Sequence, residues 1–209
     1  MKFPQPDMKN VLYILLLVFT PFFFVTSIFA ANRSVCIDPG HGGTDVGSVN
    51  GEILEKDLNL DVADRLATLA TQSGISVFQT RTGDQTLTNR DRYTFCNEKG
   101  AGIVVSIHHN GSNDPTTDFS MALYMKKSDV DLARSIVNSL STKLGTTNGG
   151  ISRFASGVIL KAKMPATISE GFFLTSSYEY TLLKSASIDR RQDEAQGLLD
   201  GILSYFSTH

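Results

Sequence analysis

Residues 35–47 read VCIDPGHGGTDVG, an apolar run that passes directly into a glycine-rich turn containing a histidine. The first residues predict a buried strand, and the glycines on either side of His41 let the backbone turn tightly after it. Sites in open α/β sheets form beyond the carboxyl ends of the strands, so His41 is a candidate functional residue. No GK[ST] sequence follows the turn, which excludes a phosphate-binding P-loop.

The composition of the chain is that of a globular protein. The chain is 41% hydrophobic and 19% charged, which is unlike a disordered chain. Its length of 209 residues corresponds to one or at most two domains. The formal net charge is -2, so there is no basic excess, and we do not expect nucleic acid as a partner.

Residues 11–30 form an apolar segment without a charged side chain. This segment predicts a secretory signal peptide over residues 1–31, and the small residues at its end favour cleavage. An uncleaved membrane anchor is the alternative, because about 20 apolar residues can span a bilayer, and it would allow transient membrane contact. Both alternatives export a catalytic domain at 32–209, either to the periplasm or to the cell wall and the extracellular side.

The rest of the chain alternates between strand and helix patterns. Strands are predicted at 34–38, 75–81, 102–108, 120–125, 158–161 and 166–170, and helices at 56–73, 88–99, 129–144 and 189–206. This alternation predicts an α/β fold: a single three-layer domain with a mostly parallel or mixed central sheet flanked by helices.

The chain has two cysteines, Cys36 in the first strand and Cys96 in a predicted helix. In an exported protein such a pair can form a disulfide. Two separate buried side chains are an equally good interpretation, because sequence does not show whether the cysteines meet. Their number and spacing do not fit a zinc–thiolate site.

Ionisable residues follow the predicted strands or open the first helix. They are His41, Glu55, His108, His109 and Glu170. Because the carboxyl ends of parallel strands meet at one edge of a sheet, we expect these side chains to gather there. Taken singly, each has a simpler explanation: a histidine at a strand end can be a hydrogen-bonded surface group, and Glu55 can complement a helix dipole.

Together these residues suit a zinc hydrolase. Two histidines and one carboxylate make a three-ligand zinc site with an open position for water. A further carboxylate is then needed to take and return protons. His108 and His109 point to opposite faces of an extended strand, so at most one of them is expected to be a ligand. Asp38 and Asp45 are candidates for orienting the histidine rings.

Six sequence blocks extend the pattern along the exported chain. They are IDPGHGGTDVG, EKDLNL, TRTGD, the pair Arg92 and Asn97 in an R-x4-N arrangement, AGIVVSIHHN and MPATISEGFFL. In this order they resemble the zinc-dependent N-acetylmuramoyl-L-alanine amidases of the type-3 amidase family, which cleave peptidoglycan. The resemblance extends from residue 35 to about residue 206.

The resemblance implies a role for each matching position. His41, Glu55 and His108 would bind Zn²⁺, and Glu170 would be the catalytic base. The implied reaction is hydrolysis of the amide bond between N-acetylmuramic acid and L-alanine, with peptidoglycan as the partner. The rival functions are another zinc hydrolase of the wall, either a carboxypeptidase or a deacetylase, and a catalytically idle wall-binding module.

The chain departs from the family pattern at two positions. The family usually has a small residue where this chain has His109, which leaves open which of the two adjacent histidines is the ligand. The last family block usually reads E-x-G-F, whereas this chain has Phe172 at the place of the glycine. We expect Phe172 to reshape the pocket beside Glu170.

Overall fold

The structure is a computed structural model that describes residues 1–3 and 33–209. Nearly all of the predicted signal peptide or anchor therefore lies outside the described residues. Within the described part of the chain, no helix is both long and apolar enough to cross a membrane.

Residues 33–209 contain eight strands, six α-helices and one 3-10 turn at Lys127–Asp129. The strands are β1 (Ser34–Pro39), β2 (Val49–Asn50), β3 (Ile53–Leu54), β4 (Ser76–Gln79), β5 (Ile103–Asn110), β6 (Ser120–Tyr124), β7 (Asn148–Arg153) and β8 (Ala166–Phe173). The helices are α1 (Glu55–Gln72), α2 (Asn89–Lys99), α3 (Val130–Leu144), α4 (Gly157–Lys161), α5 (Ser177–Leu183) and α6 (Arg190–Phe206).

The central sheet has six strands in the order β4-β1-β5-β8-β6-β7. The first four of these are parallel to one another, β6 runs antiparallel to β8, and β7 is parallel to β6. The predicted α/β fold with a mixed sheet is therefore confirmed. Strands β2 and β3 form a separate antiparallel hairpin that leads into α1.

Helices cover both faces of the sheet, as the predicted three layers require. On one face, α1, α3 and α6 bury a large apolar core that includes Ile37 and Val105 of the sheet. On the other face, α2 and α4 cover a smaller core that includes Val104 and Ile168. Because side chains alternate along a strand, neighbouring residues of β5 point into different cores.

The two cysteines form a disulfide, with a Cα–Cα distance of 5.7 Å. Both side chains are fully buried. The bond joins β1 to α2, so the alternative of two separate thiols is wrong. Cys36 lies two residues before Asp38 on the strand, and Cys96 lies four residues after Arg92 on the helix.

The prediction of a strand at 158–161 is wrong, because these residues belong to α4. Val158 and Ile159 are both buried although they are adjacent, which a helical turn packed on a sheet allows. A run of four residues is too short to separate the two periodicities. The sequence also failed to indicate three short elements: the β2–β3 hairpin, the polar edge strand β7 and helix α5.

Candidate metal centre

His41 lies in the loop after β1, where its backbone φ of 59° falls in the left-handed region. Residues with a Cβ rarely adopt this conformation, and such strain is typical of functional sites. Two buried arginines hold the loop in place. Arg92 donates hydrogen bonds to the carbonyls of Pro39 (2.6 Å) and His41 (2.7 Å), and Arg81 donates to the carbonyl of Gly40 (2.9 Å).

Glu55 is the first residue of α1, and its side chain is 3% exposed. Its Oε1 atom lies 3.1 Å from Nε2 of His41 and 3.2 Å from Nδ1 of His108. The backbone N–H of His109 also donates to Oε1 (3.0 Å), and the N–H of Ser48 donates to Oε2 (2.7 Å). The carboxylate is therefore fixed by backbone donors before any ligand arrives.

The two histidine rings and the Glu55 carboxylate meet at one point. One ligand atom from each of His41, Glu55 and His108 lies within 4.8 Å of the other two. The ring of His108 packs so closely over Gly40 that a Cβ at that position would be 2.3 Å from the ring. Two imidazole nitrogens and one carboxylate oxygen are a donor set that fits a divalent metal such as zinc.

Glu170 is the register partner of His108 on the neighbouring strand β8. Its Oε2 atom is buried and has no hydrogen-bond partner in the structure. Burial raises the pKa of the Glu170 carboxyl above its usual value, and the negative charge of Glu55 contributes in the same direction. A buried, unpaired carboxylate oxygen beside a cluster of metal-ligand type is what a general base requires.

The electrostatics of the cluster follow from its composition. Burial favours the neutral form of His41, but the hydrogen bonds and charges of Glu55 and Asp45 outweigh it and raise the pKa of His41 to about 9. Burial would raise the pKa of Glu55, yet the two histidines lower it well below its usual range. In the metal-free protein, a proton on the His41 imidazole supplies the positive charge that balances the Glu55 carboxylate.

Of the two aspartates predicted to orient the histidine rings, only Asp45 lies next to one of them. Asp45 Oδ2 lies 2.9 Å from Nδ1 of His41, an ion-pair distance at which it can attract that ring nitrogen, although the contact lacks hydrogen-bond geometry. Asp38 contacts neither histidine ring in the structure, and the prediction for it is wrong. Its carboxylate accepts hydrogen bonds from Thr80 (2.6 Å), Ser106 (2.7 Å) and Arg92 (2.8 Å) in the interior below the loop.

His109 does not join the cluster, although the sequence placed it at the same sheet edge. Its ring is fully buried on the other face of the sheet, as the strand alternation predicts, and its two ring nitrogens contact Asn59 and Glu194. Phe172 does not reshape the pocket beside Glu170, because it is fully buried against the His109 ring, with a centroid distance of 4.4 Å.

Two residues that support the site were not singled out from the sequence. Arg81 holds the His41 loop, and Lys56 donates to the Gly43 carbonyl (3.0 Å) and to Asp84 (2.7 Å). The only sequence signal for either residue was its place inside a family block, TRTGD or EKDLNL. Neither composition nor periodicity marks a buried arginine whose partners are backbone carbonyls.

Comparisons with known proteins agree with the geometry. A family model described as N-acetylmuramoyl-L-alanine amidase matches residues 35–204. The chain is 31% identical over 178 residues to the N-acetylmuramoyl-L-alanine amidase LytC of Bacillus subtilis (strain 168), a match that covers 83% of this chain and 36% of LytC. It is 30% identical over 200 residues to the germination-specific N-acetylmuramoyl-L-alanine amidase of the same strain, covering 87% of this chain and 83% of that protein.

A solved structure of an amidase is also similar to this chain. An N-acetylmuramoyl-L-alanine amidase from Clostridium difficile 630 superimposes with a TM-score of 0.78 at 32% identity. The superposition covers 85% of this chain and 98% of that one. The described domain therefore corresponds to an entire solved amidase chain, whereas it spans about a third of LytC.

Proposed function

The chain belongs to the N-acetylmuramoyl-L-alanine amidase family, and from that membership we propose that it is a zinc-dependent enzyme that cleaves the amide bond between N-acetylmuramic acid and L-alanine in peptidoglycan. One observation carries the proposal: the ligand atoms of His41, Glu55 and His108 converge beside the unpaired carboxylate oxygen of Glu170. The family predicted from the sequence is confirmed by the comparisons, and relatives named N-acetylmuramoyl-L-alanine amidases support the predicted activity.

His41, Glu55 and His108 would hold the zinc, with Asp45 orienting the His41 ring. Zinc bound there would act as a Lewis acid on the lactyl carbonyl and lower the pKa of water at the site. The donor set supports zinc over magnesium or calcium, because those ions prefer an all-oxygen environment.

Glu170 would move the protons of the reaction. Its Oε2 atom takes a proton from the attacking water as the water oxygen bonds to the lactyl carbonyl carbon. The same carboxyl then gives that proton to the nitrogen of L-alanine as the carbon–nitrogen bond breaks. The buried and unpaired state of Oε2 supports this role, because no donor among the described residues occupies the lone pairs that would accept the proton.

The two rival functions would also act on peptidoglycan of the cell wall. A carboxypeptidase or a deacetylase would apply the same metal chemistry to another bond, and a wall-binding module would need no chemistry at all. The wall-binding module is the less favoured alternative, because the chain has three candidate metal ligands together with a candidate base.

The experiment is digestion of purified peptidoglycan by the purified protein with a measured zinc content, followed by mass spectrometry of the soluble products. Release of intact stem peptides with a free L-alanine amino group, abolished by a chelator and restored by zinc, is the expected result. Release of single D-amino acids or of acetate would establish one of the rival hydrolases. Zinc binding without any product would support the binding module.

We also infer that the enzyme acts outside the cytoplasm and that residues 1–31 direct its export. The inference is supported by relatives named cell wall amidases and by the apolar N-terminal segment. Fractionation of cells, with the N-terminal mass of the recovered protein, tests it and separates a cleaved signal peptide from a retained anchor. Recovery of the full-length chain in the cytoplasm would contradict the inference.

A further inference from the structure

Three fully buried polar residues lie directly behind the metal centre: Asn59 on α1, His109 on β5 and Glu194 on α6. We propose that they form a positioning network that holds Glu55 and the His41 loop in metal-binding geometry before the metal arrives. The inference rests on the proposed metal site and assigns these three residues a task that packing alone does not explain.

The ring of His109 is the centre of the network. Its Nδ1 lies 2.8 Å from Oδ1 of Asn59, and its Nε2 lies 2.8 Å from Oε2 of Glu194. The Asn59 amide nitrogen donates to the carbonyl of Gly40 (3.2 Å), which leaves the Asn59 oxygen facing the ring. Nδ1 of His109 is therefore the donor in its bond to Asn59.

The network reaches the metal ligands at two points. The backbone N–H of His109 donates to the Glu55 oxygen that both ligand histidines contact. Through Asn59, the same residue fixes the carbonyl of Gly40, whose next neighbour is His41. A shift of the His109 backbone would therefore move the carboxylate ligand, and a shift of its ring would move the histidine loop through Asn59.

The network also explains both departures from the family pattern. A Cβ at Gly171 would lie 2.3 Å from Oε1 of Glu194, so only glycine leaves room for this carboxylate beside the strand. Phe172, which stands where the family usually has the glycine, packs against the His109 ring. His109, Gly171, Phe172 and Glu194 thus form one structural unit, and the glycine next to Glu170 makes room for Glu194.

The energetics argue against a purely stabilising role. Oε1 of Glu194 is buried and has no hydrogen-bond partner in the structure, which is costly for a carboxylate. Buried pairs of this kind contribute little net stability, and apolar side chains of similar volume often serve the fold as well or better. A positioning role accounts for retaining a polar network in the interior, because its hydrogen bonds have fixed directions.

The test compares four variants with the wild-type protein. His109→Ala removes the centre of the network. The double variant His109→Ala/Glu194→Leu also removes the carboxylate that His109→Ala would leave unpaired. It can therefore be measured in place of the single variant if that one does not fold. Glu194→Gln keeps a hydrogen bond to Nε2 and is the conservative replacement. Asp129→Ala removes a buried carboxylate that bonds to the N–H of Ala166, at the far end of β8 from Glu170, and is the control for lost stability.

The first measurement uses metal-free protein. We expect the amide hydrogen of Gly40, which is bonded to the carbonyl of Ile107, to exchange about tenfold faster, relative to the amide of Ile37, in both His109→Ala variants. Glu194→Gln and Asp129→Ala should leave that ratio within about threefold of wild type. An unchanged ratio in the His109→Ala variants would overturn the proposal, as would an increase of equal size in Glu194→Gln or in the control.

The second measurement is zinc affinity, obtained by competition with a chromophoric chelator below the unfolding temperature. Both His109→Ala variants should bind zinc about 10–100-fold more weakly, while Asp129→Ala binds as wild type does. Wild-type affinity in the His109→Ala variants would overturn the network. A wild-type protein that binds no zinc would instead count against the proposed function, and the exchange experiment would still decide the positioning role.

Discussion

His108 and Glu170 lie side by side in the sheet as register partners on the parallel strands β5 and β8. One is a candidate metal ligand and the other the candidate base, and both project from the same face of adjacent strands. Their separation is therefore set by the spacing of strands in a sheet rather than by a loop, which favours a rigid catalytic geometry. Because Glu170 is held by its strand, its role can be tested by a side-chain substitution that keeps the backbone unchanged.

Replacing Glu170 by glutamine should abolish proton transfer while keeping the shape of the side chain. We expect the rate of stem-peptide release to fall by about 10²–10⁴-fold. Zinc content should stay at the wild-type level, because Glu170 is not part of the ligand cluster. The melting temperature should be unchanged or higher, since burial already raises the pKa of this carboxyl and penalises its charged form. Wild-type lysis by a zinc-loaded Glu170→Gln protein would contradict the assignment.

Zinc binding should release a proton from His41. The pKa of this histidine is raised to about 9 in the metal-free protein, so it carries a proton at neutral pH that the metal must displace. The apparent zinc affinity should therefore rise with pH up to about 9 and then level off. Titration calorimetry in buffers of different ionisation enthalpy measures the released protons.

Asp45→Asn is the matched variant for that measurement. It removes one of the two carboxylates that raise the His41 pKa but keeps a polar side chain next to the ring. Proton release near neutral pH should be smaller than in wild type. Equal proton release in the two proteins would show that Asp45 does not hold the proton on His41.

Much of this site could be predicted from the sequence, because its residues occupy strand and helix ends that hydrophobic periodicity locates well. The apolar runs before His41 and His108 predicted β1 and β5, and the leucine spacing after Glu55 predicted α1. Strand alternation also predicted that His108 and His109 would face opposite sides of the sheet. The conclusion that at most one histidine of the pair joins the cluster followed from that geometry alone, whereas the choice of His108 rested on the family resemblance.

What could not be predicted depends on contacts between distant residues. Glu194 meets His109 across 85 positions of sequence, and no local pattern indicates that pairing. The short elements were missed for a different reason. Four consecutive residues in α4 have no distinguishable period, and β7 is a mostly exposed edge strand with two glycines and little apolar signal.

Reduction of the disulfide should destabilise the domain. Cys36 and Cys96 are the only cysteines in the chain, so a reductant can act on no other bond of this type. A disulfide typically contributes about 2–4 kcal/mol to the free energy of unfolding, and we expect a loss of that size. Denaturant unfolding of the wild-type protein with and without reductant measures it, and the double variant Cys36→Ala/Cys96→Ala under the same two conditions is the control. A reductant effect in that variant would point to a cause other than the disulfide.

Arg92→Lys should weaken zinc binding without removing the positive charge. The arginine fork bonds Asp38 together with the carbonyls of Pro39 and His41, and a lysine ammonium cannot reproduce that planar set of donors. We expect a loss of about 10–100-fold in zinc affinity, because the His41 loop is no longer held. Arg134→Lys, at an exposed position on α3, is the control and should bind zinc as wild type does. Equal affinity in the two variants would show that the loop keeps its left-handed turn without Arg92.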